Sequence, residues 1–455
     1  VTARLAPVVA ATVALAACSP SPELALDIRL PADKRLLASV AQLNLSATRD
    51  GVVLAQRTFA GSASYVSLSG VSHGARTVVA LDGVDSSSRV IARGRSCPVD
   101  FEAGGGLSTP LYFAPTNFFA PTASAPLTAR ARAAAAALDD GSVLVIGGTD
   151  GSSAPLASVE RFAPGVATFS AVAALSTARA RAELAVISDV GLLVTGGLDA
   201  TGAAIAQAEL WFSAQQQFLP VTGLDARVGH RVVVLSDGRA LLTGGSPSAS
   251  GAPLATSATA YVLSDGTYQI GQGPPLAEAR RDHAAVVAVG VPMVFGGYGS
   301  DGTPLASIEA LDVSATRAAA PIAQLTQARA EATASLLADG SILLVGGVGA
   351  DGKPLATAEV FNPITRSTTV HTMAVARAGH SATVLTDGRV LVAGGHDASG
   401  RALDSVELFA SGVGFVTERS LGTARTGHVA VPLCDSTVLL VGGADTAELY
   451  TEPGS

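Results

Sequence analysis

Arginine, glutamate and histidine recur at fixed offsets from a repeated pair of glycines. The pairs are Gly147-Gly148, Gly196-Gly197, Gly244-Gly245, Gly296-Gly297, Gly346-Gly347, Gly394-Gly395 and Gly442-Gly443. An arginine precedes each: Arg130, Arg179, Arg227, Arg280, Arg329, Arg377 and Arg425. A glutamate follows in most copies: Glu160, Glu209, Glu309, Glu359, Glu407 and, at a shorter offset, Glu448. The third copy carries Thr259 in its place. A guanidinium fork can hold loop carbonyls and a carboxylate together, so the pairs suit a structural task inside each copy. His230, His283, His380 and His428 follow their arginines by three residues, and Ala133, Ala182 and Ala332 replace them elsewhere. Four imidazoles raise the idea of a metal ring. However, metal–nitrogen bonds of about 2 Å need ligands that converge on one point, and copies of one repeat position spread around an axis. A histidine capping a turn of its own copy is the simpler expectation.

The elements that must position these residues are strands. In the copy RAGHSATVLTDGRVLVAGG, HSATVL reads as a first strand and RVLVAGG as a second. Asp-Gly between them suits a two-residue hairpin loop. DSVELFA gives a third strand and GFVTERS a short fourth. Alternation of period two and frequent glycine exclude helices. Seven copies at a spacing near about 50 residues mark a propeller or solenoid.

The units resemble kelch repeats, each one blade of a β-propeller. The resemblance rests on the diglycine after an apolar strand, the downstream arginine, and an aromatic in the third strand: Phe162, Trp211, Tyr261, Phe361, Phe409 and Tyr450, with Leu311 departing. It covers residues 111–455 and implies an all-β fold, a seven-bladed kelch-type β-propeller. A six-bladed ring with one decayed unit is the alternative. The last copy is short. LYFAPTNFFAPTASAPLTARAR before the first blade copies the rhythm of ERFAPGVATFSAVAALSTARAR, so a strand near 117–121 is expected to close the ring beside 447–450.

Residues 24–103 read as six or seven short strands between Gly, Ser and Asp, a small immunoglobulin-like β-sandwich. Residues 104–110 read as a linker. Residues 1–17 carry an apolar run too short to span a bilayer, ending Leu15-Ala16-Ala17 before Cys18. This resembles the signal and lipobox of bacterial lipoproteins. The resemblance implies lipidation of Cys18, a tether over 18–23, and a membrane-anchored protein of the outer membrane, on its periplasmic side or the cell surface. The other two cysteines, Cys97 and Cys434, are candidates for a disulfide in an oxidising compartment.

A net charge of −8 argues against a nucleic-acid partner. The propeller is distantly similar to that of galactose oxidase, whose copper site needs two tyrosines, two histidines and a cysteine crosslink. Of six tyrosines here, Tyr65 falls in the sandwich, Tyr261 and Tyr450 are blade aromatics, and only Tyr298 falls in an expected loop. That site is not carried over. No catalytic motif and no cofactor site is expected. Loops on a rigid scaffold are the usual carriers of recognition. The mixed-charge loops of blades four to six are therefore the candidate ligand face: Tyr298, Asp301, Asp351, Lys353, His396, Asp397 and Arg401. The expected function is a monomeric, non-catalytic binding module of the bacterial envelope with a protein or glycan ligand. A structural envelope lipoprotein, or a sugar-modifying enzyme on a kelch propeller, is the alternative.

Overall fold

The structure is a computed structural model that describes residues 23–31, 37–63, 65–101, 107–318 and 320–453. Residues 1–17, expected to be a signal segment, and Cys18 lie outside the described residues. Seven four-stranded antiparallel sheets make up the larger part. Blade five shows the pattern: Thr333–Leu336, Ile342–Val345, Leu355–Asn362 and Ser367–Arg377 follow one another from the axis outward. The second strands are continuous apolar runs such as Val143–Ile146, Ile342–Val345 and Val390–Ala393, buried at every residue. Both faces of such a strand pack on neighbouring blades, so apolar runs replace the in–out alternation of a half-exposed sheet.

The Asp-Gly loops differ from a two-residue hairpin. The Gly141 N–H donates to the Leu138 carbonyl, and the Leu138 N–H donates to Ser142. Gly141 alone of the loop has positive φ, at 80°. This is a type I turn followed by a left-handed glycine, and Asp140 accepts hydrogen bonds from the Ser142 N–H and hydroxyl. Both members of each diglycine also have positive φ. A Cβ on Gly147 would stand 2.4 Å from the Arg179 carbonyl oxygen of the next blade. The pair thus lets one blade's backbone touch the next.

The seventh blade takes its outermost strand from Phe118–Pro121, which pairs with Glu448–Thr451 in the register Phe119↔Tyr450. The two rings lie 4.8 Å apart, and the Tyr450 hydroxyl donates to Asn117.

The N-terminal part is a two-sheet sandwich. Glu23–Arg29 lies between Ser67–Ser69 and Leu107–Tyr112, facing a larger sheet built on Gln42–Arg49 and Gly74–Val84. Its core includes Leu45, Val79, Leu81, Phe101 and Leu111. The expected boundary at 104–110 does not stand. Leu107–Tyr112 is a strand of the sandwich, parallel to Glu23–Arg29, and Ala114–Pro115 pairs with Val90–Arg95. Leu111 and Phe113 are apolar because they fill the sandwich core. The propeller therefore begins at Phe118.

A disulfide joins Cys97 of the sandwich to Cys434 of the last blade, with Cα atoms 4.9 Å apart. The Asp-Gly turn of blade one lies against it: a Cβ on Gly141 would be 2.6 Å from the Cys434 sulfur. Arg93 of the sandwich also donates to the Pro453 carbonyl at 3.2 Å.

Candidate functional site at the axial mouth

The blade arginines are buried brackets. In blade one, Arg130 Nη1 donates to the carbonyls of Gly147 at 2.8 Å and Ser158 at 3.0 Å, while Nη2 pairs with Glu160. Glu160 also accepts the N–H groups of Leu127 and Thr128. The arrangement recurs at Arg179–Glu209, Arg280–Glu309, Arg329–Glu359, Arg377–Glu407 and Arg425–Glu448. Each bracket ties the entry of a blade to its second and third strands.

The four histidines do not cap their own blades. Each Nε2 meets a hydroxyl of the preceding blade: His230 with Thr195 at 2.8 Å, His283 with Thr243 at 2.9 Å, His380 with Thr333 at 3.0 Å and His428 with Ser381 at 2.9 Å. The imidazole packs on the first glycine of that blade's pair: a Cβ on Gly196 would lie 2.5 Å from His230 Cε1. Burial pushes His380 and His428 down to about 3, and His230 and His283 well below the ordinary value, so all four are neutral. They are inter-blade rivets.

A cavity of about 520 Å³ opens at the axis, over the starts of the first strands. Its rim is one repeat position, two residues after each bracket arginine: Arg132, Arg181, Gly229, Asp282, Glu331, Gly379 and Gly427. All seven are left-handed, with φ between 52° and 65°. Their backbones form an interrupted hydrogen-bonded circle. The Arg132 N–H donates to Gly427, Arg181 to Arg132, Asp282 to Gly229, Glu331 to Asp282 and Gly427 to Gly379.

Side chains polarise that circle. Arg181 pairs with Asp282 across the intervening blade three, and Arg281 pairs with Asp282 at 2.7 Å. A Cβ on Gly229 would stand 2.6 Å from that carboxylate. Arg231 pairs with Glu183 and donates to the His283 carbonyl. The Tyr298 hydroxyl donates to Glu331 at 3.3 Å, and Arg281 lies over the Tyr298 ring at 4.9 Å. Burial and the neighbouring Glu331 push the Tyr298 phenol up to about 12. On the far side, Gly379 and Gly427 leave the cavity open above His380 and His428. Arg132 borders this gap. It is exposed and makes no ion pair among the described residues.

The sequence-derived ligand face is split. Tyr298 and His396 follow their diglycines directly and pair with the backbone beside the rim, at Arg281 and Ala378. His396 Nδ1 lies 3.2 Å from the Thr426 hydroxyl, next to Gly379. Asp301, Asp351 and Asp397 instead tie down their own loops. Asp397 accepts from the Ser399 hydroxyl, the Ser399 N–H and the Arg401 N–H. The Ser399 hydroxyl holds the Asp397 carboxyl below its ordinary value. Asp301 and Asp351 accept from the N–H groups of Thr303 and Lys353. Lys353 and Arg401 are exposed. Sequence reasoning did not single out the rim. Its signal was a repeat position that holds glycine in some copies and a charge in others.

The solved structure of YjhT matches this chain with a TM-score of 0.51 at 15% identity, over 65% of this chain and 99% of that one. At that identity the likeness concerns the fold alone. No family model matches the chain, and no curated protein does. The fold is a seven-bladed β-propeller behind a β-sandwich.

Proposed function

We propose that the protein is a non-catalytic binding module of the bacterial cell envelope, of kelch type, anchored through lipid on Cys18. Its axial mouth receives a protein segment or glycan by an anionic group. The observation that carries this reading is Arg132: an exposed, unpaired guanidinium at the edge of a roomy axial cavity. The other rim cations, Arg181, Arg231 and Arg281, are already matched to Asp282 and Glu183. A free guanidinium beside the small, uncharged arc of Gly379, Gly427, His380 and His428 favours a ligand that brings its own carboxylate or sulfate. Because His380 and His428 are neutral, Arg132 supplies the charge of that arc alone. The side chains at the mouth are pre-set by ion pairs and brackets, which suits recognition with little rearrangement.

The test is binding of acidic and neutral peptides and oligosaccharides to the full chain and to Arg132→Glu. Capture of an acidic probe that falls at least tenfold in Arg132→Glu, with neutral probes unaffected, is the expected result. Acidic probes that bind both proteins alike would remove the axial mouth from consideration. The absence of any bound probe would favour the structural-lipoprotein alternative.

A further inference from the structure

Blade three departs from the other six inside its bracket. The glutamate of each bracket sits opposite the residue two before the glycine pair: Val145↔Glu160, Val194↔Glu209 and Leu344↔Glu359, for example. In blade three that place is opposite Leu242 and is held by Ala258. Thr259, which its place two residues before the aromatic Tyr261 suggests as the substitute, is one step along and faces Leu241. Arg227 keeps the common contacts, donating from Nη1 to the carbonyls of Gly244 at 3.0 Å and Thr256 at 3.3 Å. It is 1% exposed, yet its Nη2 has no hydrogen-bond partner. In the other six blades Nη2 grips the glutamate. The nearest carboxylate, Asp225 at 3.5 Å, has a side chain 80% exposed. The N–H groups of Leu224 and Asp225, which precede Arg227 as the glutamate-bound N–H groups precede other bracket arginines, have no acceptor among the described residues. Leu224 and Ala258 supply an apolar wall.

From this within-chain comparison we propose that blade three binds a small monocarboxylate, which completes the bracket from outside. The group removed between glutamate and alanine is a methylene and a carboxylate, the size of acetate. Bound there, acetate accepts from Arg227 Nη2 as the glutamates do, and its methyl lies against Leu224 and Ala258. A buried guanidinium whose ion pair is a 3.5 Å contact with a largely exposed carboxylate is poorly compensated, and an anion that hydrogen-bonds its Nη2 stabilises the fold in proportion to its occupancy.

Thermal unfolding of the full chain is followed in rising acetate, with chloride at matched ionic strength and acetamide as controls. The expected result is a saturable rise in Tm with acetate alone. Ala258→Glu, which restores the internal carboxylate, is expected to melt above the parent and to lose the acetate response. Equal responses to acetate and chloride, or an undiminished acetate response in Ala258→Glu, would overturn the proposal. If Ala258→Glu does not fold, line broadening of 13C-acetate by the parent and by Arg227→Gln decides. Broadening by the parent alone supports the site, and equal broadening or none removes it.

Discussion

The mouth of the propeller has two unlike arcs built on one backbone. Over blades one to five, four of the five rim positions carry a charged side chain; over blades six and seven, both are glycine. All seven share the left-handed conformation, which costs a non-glycine residue on the order of 1 kcal/mol or more. Glycine would relieve that cost at Arg132, Arg181, Asp282 and Glu331. Their side chains therefore answer a need other than chain geometry. For Asp282 it is the clamp between Arg181 and Arg281. Arg132 clamps nothing among the described residues, and the ligand proposed for the mouth rests on that difference.

The largest expected effect is the pH dependence set by the buried histidines, tested at the glycine arc. His380 and His428 lie beneath the glycine arc with values near about 3 against 6.5 when unfolded. Their contribution is complete above pH 6.5 and is lost as the pH falls toward about 3, by up to about 5 kcal/mol each from shifts of that size. Asp435, pushed up to about 6 by burial, acts in the opposite sense, since its neutral form suits the fold. With Asp435 and Glu452, both pushed up by burial, against four buried histidines, acid unfolding is expected below about pH 6. Replacing His380 and His428 with alanine, as blades one, two and five have it, is expected to flatten the decline. Denaturant melts across that range measure this, and an unchanged slope would refute the rivet assignment.

A smaller effect compares glycines of the two arcs. Gly229→Ala places a Cβ 2.6 Å from Asp282, while at Gly427 the nearest atom is Arg132 Cγ at 3.4 Å. The expected cost is about 2 kcal/mol or more for Gly229→Ala and about 1 kcal/mol for Gly427→Ala. Equal costs by urea denaturation would show that the Asp282 clamp yields freely. The smallest effect belongs to Tyr298→Phe. Its hydrogen bond to Glu331 is 3.3 Å long and half-buried, so a loss of about 0.5–1 kcal/mol is expected. A larger loss in the same melts would mean that the charged arc is tied together through Tyr298.

The fold was legible because each blade repeats its own instructions. Glycine pairs recur in register in every blade, bracket residues and third-strand aromatics in most, and seven noisy copies reinforce one reading. The same periodicity misled where its phase slipped. Residues 111–115 copy the rhythm of a blade's third strand, yet Leu111 and Phe113 fill the sandwich core, a tertiary choice that apolar spacing leaves open. Counting back two residues from the aromatic Tyr261, as the other blades suggest, puts Thr259 in the place of a glutamate, whereas strand pairing puts Ala258 there, because Tyr261 lies one residue past the place opposite Ala240 that Phe162 holds opposite Val143. The histidines stood out as a series, but their partners lie on the preceding blade, and contacts between copies are invisible inside one copy. The rim escaped notice for the opposite reason. Arg132, Arg181, Asp282 and Glu331 occupy a position that varies in type, and only its backbone conformation is constant.

The Cys97–Cys434 bridge also decides how the molecule carries load. The two cysteines are 337 residues apart in sequence. A pull between the sandwich and Cys434 in the last blade passes through the sulfur bond and bypasses the chain between the two cysteines. Nearly all of the ring lies within the bypassed loop. At about 3.5 Å per residue, some ~1,200 Å of contour is kept out of reach of tension. Stretched at its two ends, the oxidised protein would give up its flanks, with the seam strand Glu448–Thr451 among them, and stop; after reduction the same force would go on to unzip the rest of the propeller.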